Sequence, residues 1–237
     1  MQASEDQVWR VAQLATMSPD DLAELLYDDP AKAAPWVEAC AAMGLPEAQV
    51  RLGRMLLAGE GAAKDQAAAL RWFEIAADGG DIDALNMLGR CFEMGWGANI
   101  DLERAARCYA RAAEAGHAWA QYNYGHMLLD GQGVKRDLRA AFASYMRAAD
   151  QGHVRAMNLV GRCYEEGWGV GRDPAAATAW YRKSAQGGYF RGCYNFASAL
   201  SQAGCATGAD YWYERALATA PEQTQRLMRD RPASAAR

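Results

Sequence analysis

From residue 48 onward the apolar and polar positions recur at a fixed interval. The stretch ALNMLGRCFEMGWG (84–97) returns 72 residues later as AMNLVGRCYEEGWG (156–169), with looser copies AQVRLGRMLLAGEG (48–61) and AQYNYGHMLLDGQG (120–133) completing a 36-residue period. The apolar columns Leu52/Leu88/Tyr124/Val160 and Leu56/Phe92/Leu128/Tyr164 stand four residues apart, the spacing of one face of an α-helix. Between them runs the column Gly53/Gly89/Gly125/Gly161. Glycine inside a helix costs about 1 kcal/mol relative to alanine, so its recurrence predicts a neighbour too close for a methyl group.

A Gly-x-Gly (Gly59/Gly61, Gly95/Gly97, Gly131/Gly133, Gly167/Gly169) ends this first helix with residues free to adopt positive φ. The column Asp65/Asp101/Asp137/Asp173 then caps a second helix, and Pro174 fits its first helical position. That helix carries Ala-rich columns and the aromatics Phe73/Tyr109/Tyr145/Tyr181, and stops at Gly80/Gly116/Gly152/Gly188. Each period thus reads as an antiparallel helical hairpin, and a run of such periods predicts an all-α solenoid.

The ends deviate, as terminal repeats facing solvent do. Residues 1–47 read as degenerate capping helices: 5–17 with Val8, Val11 and Leu14 on one side, a start at Ser18-Pro19-Asp20-Asp21 leading to Leu22, Leu25 and Leu26, and a helix ending near Met43-Gly44. Four full repeats occupy 48–191. A damaged fifth spans 192–220, with Ala197 where glycine stood, a loop shorter by four residues, and Trp212 and Tyr213 resuming the aromatic column. Residues 221–237 read as a short helix around Leu227 and Met228 followed by a partly disordered tail. The expectation is a single domain of about five hairpins.

These columns resemble the Sel-one-like repeat (SLR) family, a relative of the tetratricopeptide repeat, whose phrase is matched by AMNLVGRCYEEGWGVGRD (156–173) and then WYRKSAQGG (180–188). The match is close over 48–188 and weaker from Trp36 to about Ala220. Val160, Ala62, Ala98 and the shortened last loop depart from the family pattern. The resemblance implies a right-handed α-solenoid acting as a protein-interaction adaptor, and it implies no reaction.

Composition narrows the partner. The 237 residues are 51% hydrophobic and 23% charged, with a net charge of −4, so no basic excess points to nucleic acid or an anionic membrane. No run is long enough for a membrane span, and the acidic N-terminus lacks the pattern of a secretory signal, which places the protein in the cytoplasm. The six cysteines keep no fixed pairing within the repeats and read as buried free thiols, with the facing of Cys91 and Cys108 across one hairpin left open. The spacings of zinc sites, P-loops and dinucleotide loops are absent, so neither metal nor cofactor is expected. His117 and His153, one period apart, read as turn residues packing on the next helix.

Candidate chemistry therefore lies on the surface left when the packing columns are subtracted. Asn86, Arg90 and Glu93 in one repeat and Asn158, Arg162 and Glu165 in another share the i, i+4, i+7 spacing of one helix face, with Tyr122 and His126 between them and Tyr194 beyond. In helical-hairpin solenoids the first helices line the concave side, so these residues form a candidate groove for a protein or peptide partner. The plainer reading is an Arg–Glu helix surface pair. Trp96 and Trp168, in the middle of Gly-x-Gly, are either anchors on the loop edge or packing against a neighbouring loop. The function expected is a non-catalytic adaptor or scaffold. An inhibitor or immunity-type protein sequestering a toxin or enzyme, and a module for a small ligand or cell-wall fragment, are the alternatives. Oligomeric state is left open.

Overall fold

The computed structural model describes residues 4–18, 20–21 and 29–230. The expected helix at Leu22, Leu25 and Leu26 and the tail at 231–237 lie outside these residues. The described elements are helices: α1 (Glu5–Leu14), α2 (Pro30–Ala42), α3 (Pro46–Ala58), α4 (Gln66–Asp78), α5 (Ile82–Met94), α6 (Leu102–Glu114), α7 (Ala118–Asp130), α8 (Leu138–Asp150), α9 (Val154–Glu166), α10 (Pro174–Gln186), α11 (Phe190–Gln202), α12 (Ala206–Thr219) and α13 (Glu222–Asp230). The fold is all-α, built from solenoid-type helical hairpins. None of the described helices is long and apolar enough to cross a membrane.

The helices gather into two compact units, Met1–His117 and Ala118–Arg237. The 36-residue register runs through this boundary unchanged, so periodicity alone gives no sign of it. In the N-terminal unit α3 pairs with α4 and α5 with α6; in the C-terminal unit α7 pairs with α8, α9 with α10 and α11 with α12.

The capping columns act as their residue types require. Asp65, Asp101 and Asp173 accept from the amides of Ala68, Arg104 and Ala176, each at 2.9 Å, and Asp137 accepts from Ala140 at 3.0 Å. Such caps are worth about 1 kcal/mol each. Gly59, Gly95 and Gly167 terminate α3, α5 and α9 in the left-handed conformation. The second glycine of each pair meets a different demand: a Cβ on Gly97 would lie 2.2 Å from the Gln66 carbonyl oxygen, and one on Gly169 would lie 2.0 Å from that of Leu138. Loop and preceding hairpin touch backbone to backbone there.

The mid-helix glycines and the aromatics prove to be one device. A Cβ on Gly53, Gly89, Gly125 or Gly161 would come within 2.5–2.6 Å of the ring of Phe73, Tyr109, Tyr145 or Tyr181 respectively. The intruding neighbour is thus the ring of the same hairpin, and all four rings are buried. In the last hairpin Ala197 replaces the glycine, and the corresponding Tyr213 is only half-buried, its hydroxyl donating to the Met228 carbonyl of α13 at 2.5 Å. At the other end, α1 packs on α2 with Arg10 over the Trp36 ring. Val8, expected on one side of α1 with Val11 and Leu14, is exposed, while those two are half-buried.

Candidate functional site

Within its unit, a first helix packs on its own hairpin partner and on the second helix of the hairpin before it, so its buried arc is wide. In α5 every residue from Ala84 to Gly89 is buried. This corrects the expectation for two of the candidate residues. Asn86 and Asn158 retain only 6% and 4% exposure, and the Asn158 side-chain oxygen accepts from Asn195 Nδ2 at 2.8 Å. They lie at the floor of the helix face, nearly closed off from solvent.

The remaining members of the two trios divide their contacts in the same way. Arg90 lies over the Trp96 ring at 5.0 Å, and Arg162 over Trp168 at 4.7 Å. Glu93 accepts from the Tyr109 hydroxyl at 2.6 Å, and Glu165 from the Tyr181 hydroxyl at 2.5 Å. The arginines therefore turn to tryptophan and the acids to the buried tyrosine of the packing column, in place of an arginine–glutamate surface pair. Burial, reinforced by the bond to the carboxylate, pushes both phenols well above the usual tyrosine range. Trp96 and Trp168 are half-buried, and Trp168 packs on the cluster around Tyr145 and Val160.

The repeat between them is aromatic instead. Tyr122 stands edge-on to His126 at 4.7 Å and near His153 at 4.8 Å, while Trp119 meets the His153 ring edge-on at 4.4 Å. His153 also caps α9, its Nδ1 accepting from the Ala156 amide at 3.1 Å. His117 instead reaches back to Asp83, 2.6 Å away. Leu129 occupies the place of the glutamates here, and Tyr145, the matching phenol, is fully buried with no hydrogen-bond partner for its hydroxyl among the described residues.

In the C-terminal unit these positions converge. Tyr122, His126, Asn158, Arg162, Glu165 and Tyr194 all line one cleft of about 360 Å³. Residues outside the expected set complete it: Arg155 from α9, Arg191 and Asn195 from α11, Tyr189 just before α11, and Thr224 and Met228 from α13. The missed arginines do carry a sequence signal. The second position of each first helix runs Glu47, Asp83, Trp119, Arg155, Arg191, changing from acidic to basic along the chain. In the N-terminal unit Arg90 and Trp96 line a separate cleft of about 340 Å³ with Arg54, Lys64 and Met87. Chemically the C-terminal cleft offers guanidinium forks, amide donors and acceptors, and aromatic walls, a set suited to polar recognition. Among the described residues no group of metal-ligating side chains gathers.

A model of the Sel1 repeat matches residues 46–81, 82–117, 120–153 and 154–189. Among solved structures, a Sel1 repeat protein from Oxalobacter formigenes is 27% identical, with a TM-score of 0.71 over 93% of this chain and 84% of that one. A protective antigen present in uropathogenic Escherichia coli strains and displaying an SLR fold is 25% identical, with a TM-score of 0.73 over 96% of this chain; this chain spans 49% of its length. Immunity protein Pa5087 from Pseudomonas aeruginosa shares the fold at 19% identity and a TM-score of 0.53, covering 73% of this chain and 66% of that one. No curated protein matches the sequence. With four repeats in unbroken register over most of the helical hairpins, the chain belongs to the Sel1 repeat family.

Proposed function

We propose that this protein is a non-catalytic adaptor that holds a segment of a protein partner on the first helices of its C-terminal unit. Sel1 repeat proteins are generally protein-interaction scaffolds, which supports the class. The observation that carries the specific reading is the convergence of Tyr122, His126, Arg162 and Tyr194, from three successive first helices, on one cleft. The cleft admits a few side chains and backbone units, which suits an exposed segment of a partner better than a whole globular face.

Affinity capture from native lysate, with wild type beside the charge-reversed R162E, tests the reading. The partner is expected to be lost from R162E and kept by the control R182E on α10. Capture by R162E equal to wild type would remove the first-helix face of the C-terminal unit from the interaction. Sequestration of a toxin or enzyme is a narrower form of the same activity. Immunity proteins Pa5087 and PA5088, at 19% and 14% identity, support it only as far as a shared fold.

A further inference from the structure

We propose that the cleft of the C-terminal unit receives an acidic peptide segment, its carboxylates read by Arg155, Arg162 and Arg191 and its backbone held by the Asn158–Asn195 pair. This rests on the interaction reading above and gives it a ligand class.

The charge balance of the cleft is the first ground. Among the described residues none of the three arginines forms an ion pair. Each is steadied by aromatic rings instead: Arg155 lies over Trp119 at 5.3 Å and over Tyr189 at 5.8 Å, Arg162 over Trp168, and Arg191 over Phe190 at 5.6 Å. Stacking fixes a guanidinium plane while leaving its N–H edge for a carboxylate, which it grips bidentately. Among the described residues the cleft has one carboxylate, Glu165, which already accepts from Tyr181. The cleft is therefore positive within a chain whose net charge is −4.

The matching column in the N-terminal unit is the internal contrast. There Asp83 stands where Arg155 and Arg191 stand, and it is met by Arg54 at 3.2 Å and by His117 at 2.6 Å. The charge of Asp83 is met within the fold, whereas that of Arg155 and Arg191 is left for a ligand.

The amide pair favours a peptide over other polyanions. With Asn195 Nδ2 donating to Asn158 Oδ1, the outer groups are a donor on Asn158 and an acceptor on Asn195, the complement of one peptide unit. A nucleic-acid strand carries phosphate acceptors at every step and calls for a longer cationic track than three arginines in one cleft provide.

The test uses the full chain, immobilised, and three fluorescent probes. They are a degenerate short peptide library rich in Asp and Glu, the same library with Asn and Gln at those positions, and a short oligothymidylate. Retention of the acidic library at least about tenfold above the amide library, weakening as salt is raised, is the expected result. R155Q/R191Q should abolish that preference while its urea midpoint stays at the wild-type value. The salt dependence of the wild type reports on the same claim without any variant. Equal retention of the two libraries overturns the acidic class and leaves the interaction reading standing. Retention of neither library overturns both. Preference for the oligonucleotide overturns the peptide assignment.

Discussion

Tyr181 donates its hydroxyl hydrogen to Glu165 at 2.5 Å, across the same hairpin in which its ring fills the notch left by Gly161. One residue thus belongs at once to the packing that every repeat shares and to the polar face on which the repeats differ. Tyr109 does the same with Gly89 and Glu93. Phe73, whose hairpin has Leu57 at the glutamate position, carries no hydroxyl to satisfy. Tyr145 is the exception: Leu129 faces it in register and its hydroxyl is buried without a partner among the described residues.

The exception predicts opposite outcomes for one substitution at two equivalent places. Tyr181→Phe removes a hydrogen bond to a carboxylate and should cost about 1–2 kcal/mol. Tyr145→Phe removes an unsatisfied buried hydroxyl and should be neutral or stabilising by up to about 1 kcal/mol. Urea unfolding of the two variants beside wild type measures both. Equal destabilisation would show that the Tyr145 hydroxyl is satisfied in solution.

Gly89→Ala and Gly161→Ala should each destabilise by about 1–3 kcal/mol through overpacking against the tyrosine ring, although helix propensity alone favours alanine by about 1 kcal/mol. The reverse substitution in the last hairpin, Ala197→Gly, has no notch to restore, because Tyr213 already sits outward on the Met228 carbonyl. It should lose about 1 kcal/mol. Thermal melts of the three variants decide; a stabilised Gly161→Ala would contradict the packing described.

The thiols give a pH window with a definite sign. Burial pushes Cys91 up to about 12, with Cys108 near enough to contribute, and it pushes Cys163 up to about 12 as well. An unfolded thiol ionises near pH 8.5. The folded state keeps these protons longer, so their contribution to stability is complete below about pH 8.5 and declines as pH rises through the window towards about 12. Urea midpoints measured upward from pH 8 should fall accordingly. Under native conditions Cys205, the exposed thiol, should react first with a thiol reagent, with Cys91, Cys163 and Cys193 silent until the chain unfolds.

The packing was legible in the sequence because each of its columns recurs in every repeat, and caps, glycine terminators and Ala-rich faces follow from residue type. The pairing of the glycine and aromatic columns was not, since twenty residues separate Gly161 from Tyr181 and spacing alone does not say which ring fills which notch. The site was half legible. Subtracting one buried stripe from each helix found Arg162, Tyr122 and Tyr194, but it placed Asn86 and Asn158 on the surface, because each of their first helices packs on its own partner and also on the hairpin before it. Arg155 and Arg191 escaped because the cleft is assembled between repeats, and their column reads as a surface position until the hairpins are stacked.

The central claim, that a partner segment sits on the first-helix face of the C-terminal unit, is tested most directly by site-specific photo-crosslinking. With p-benzoylphenylalanine replacing Tyr194 in the cleft, irradiation in native lysate should yield one dominant crosslinked partner. The same probe replacing Ala179, exposed on the second helix α10, should yield none. A partner crosslinked at residue 179 and absent at residue 194 would contradict the account.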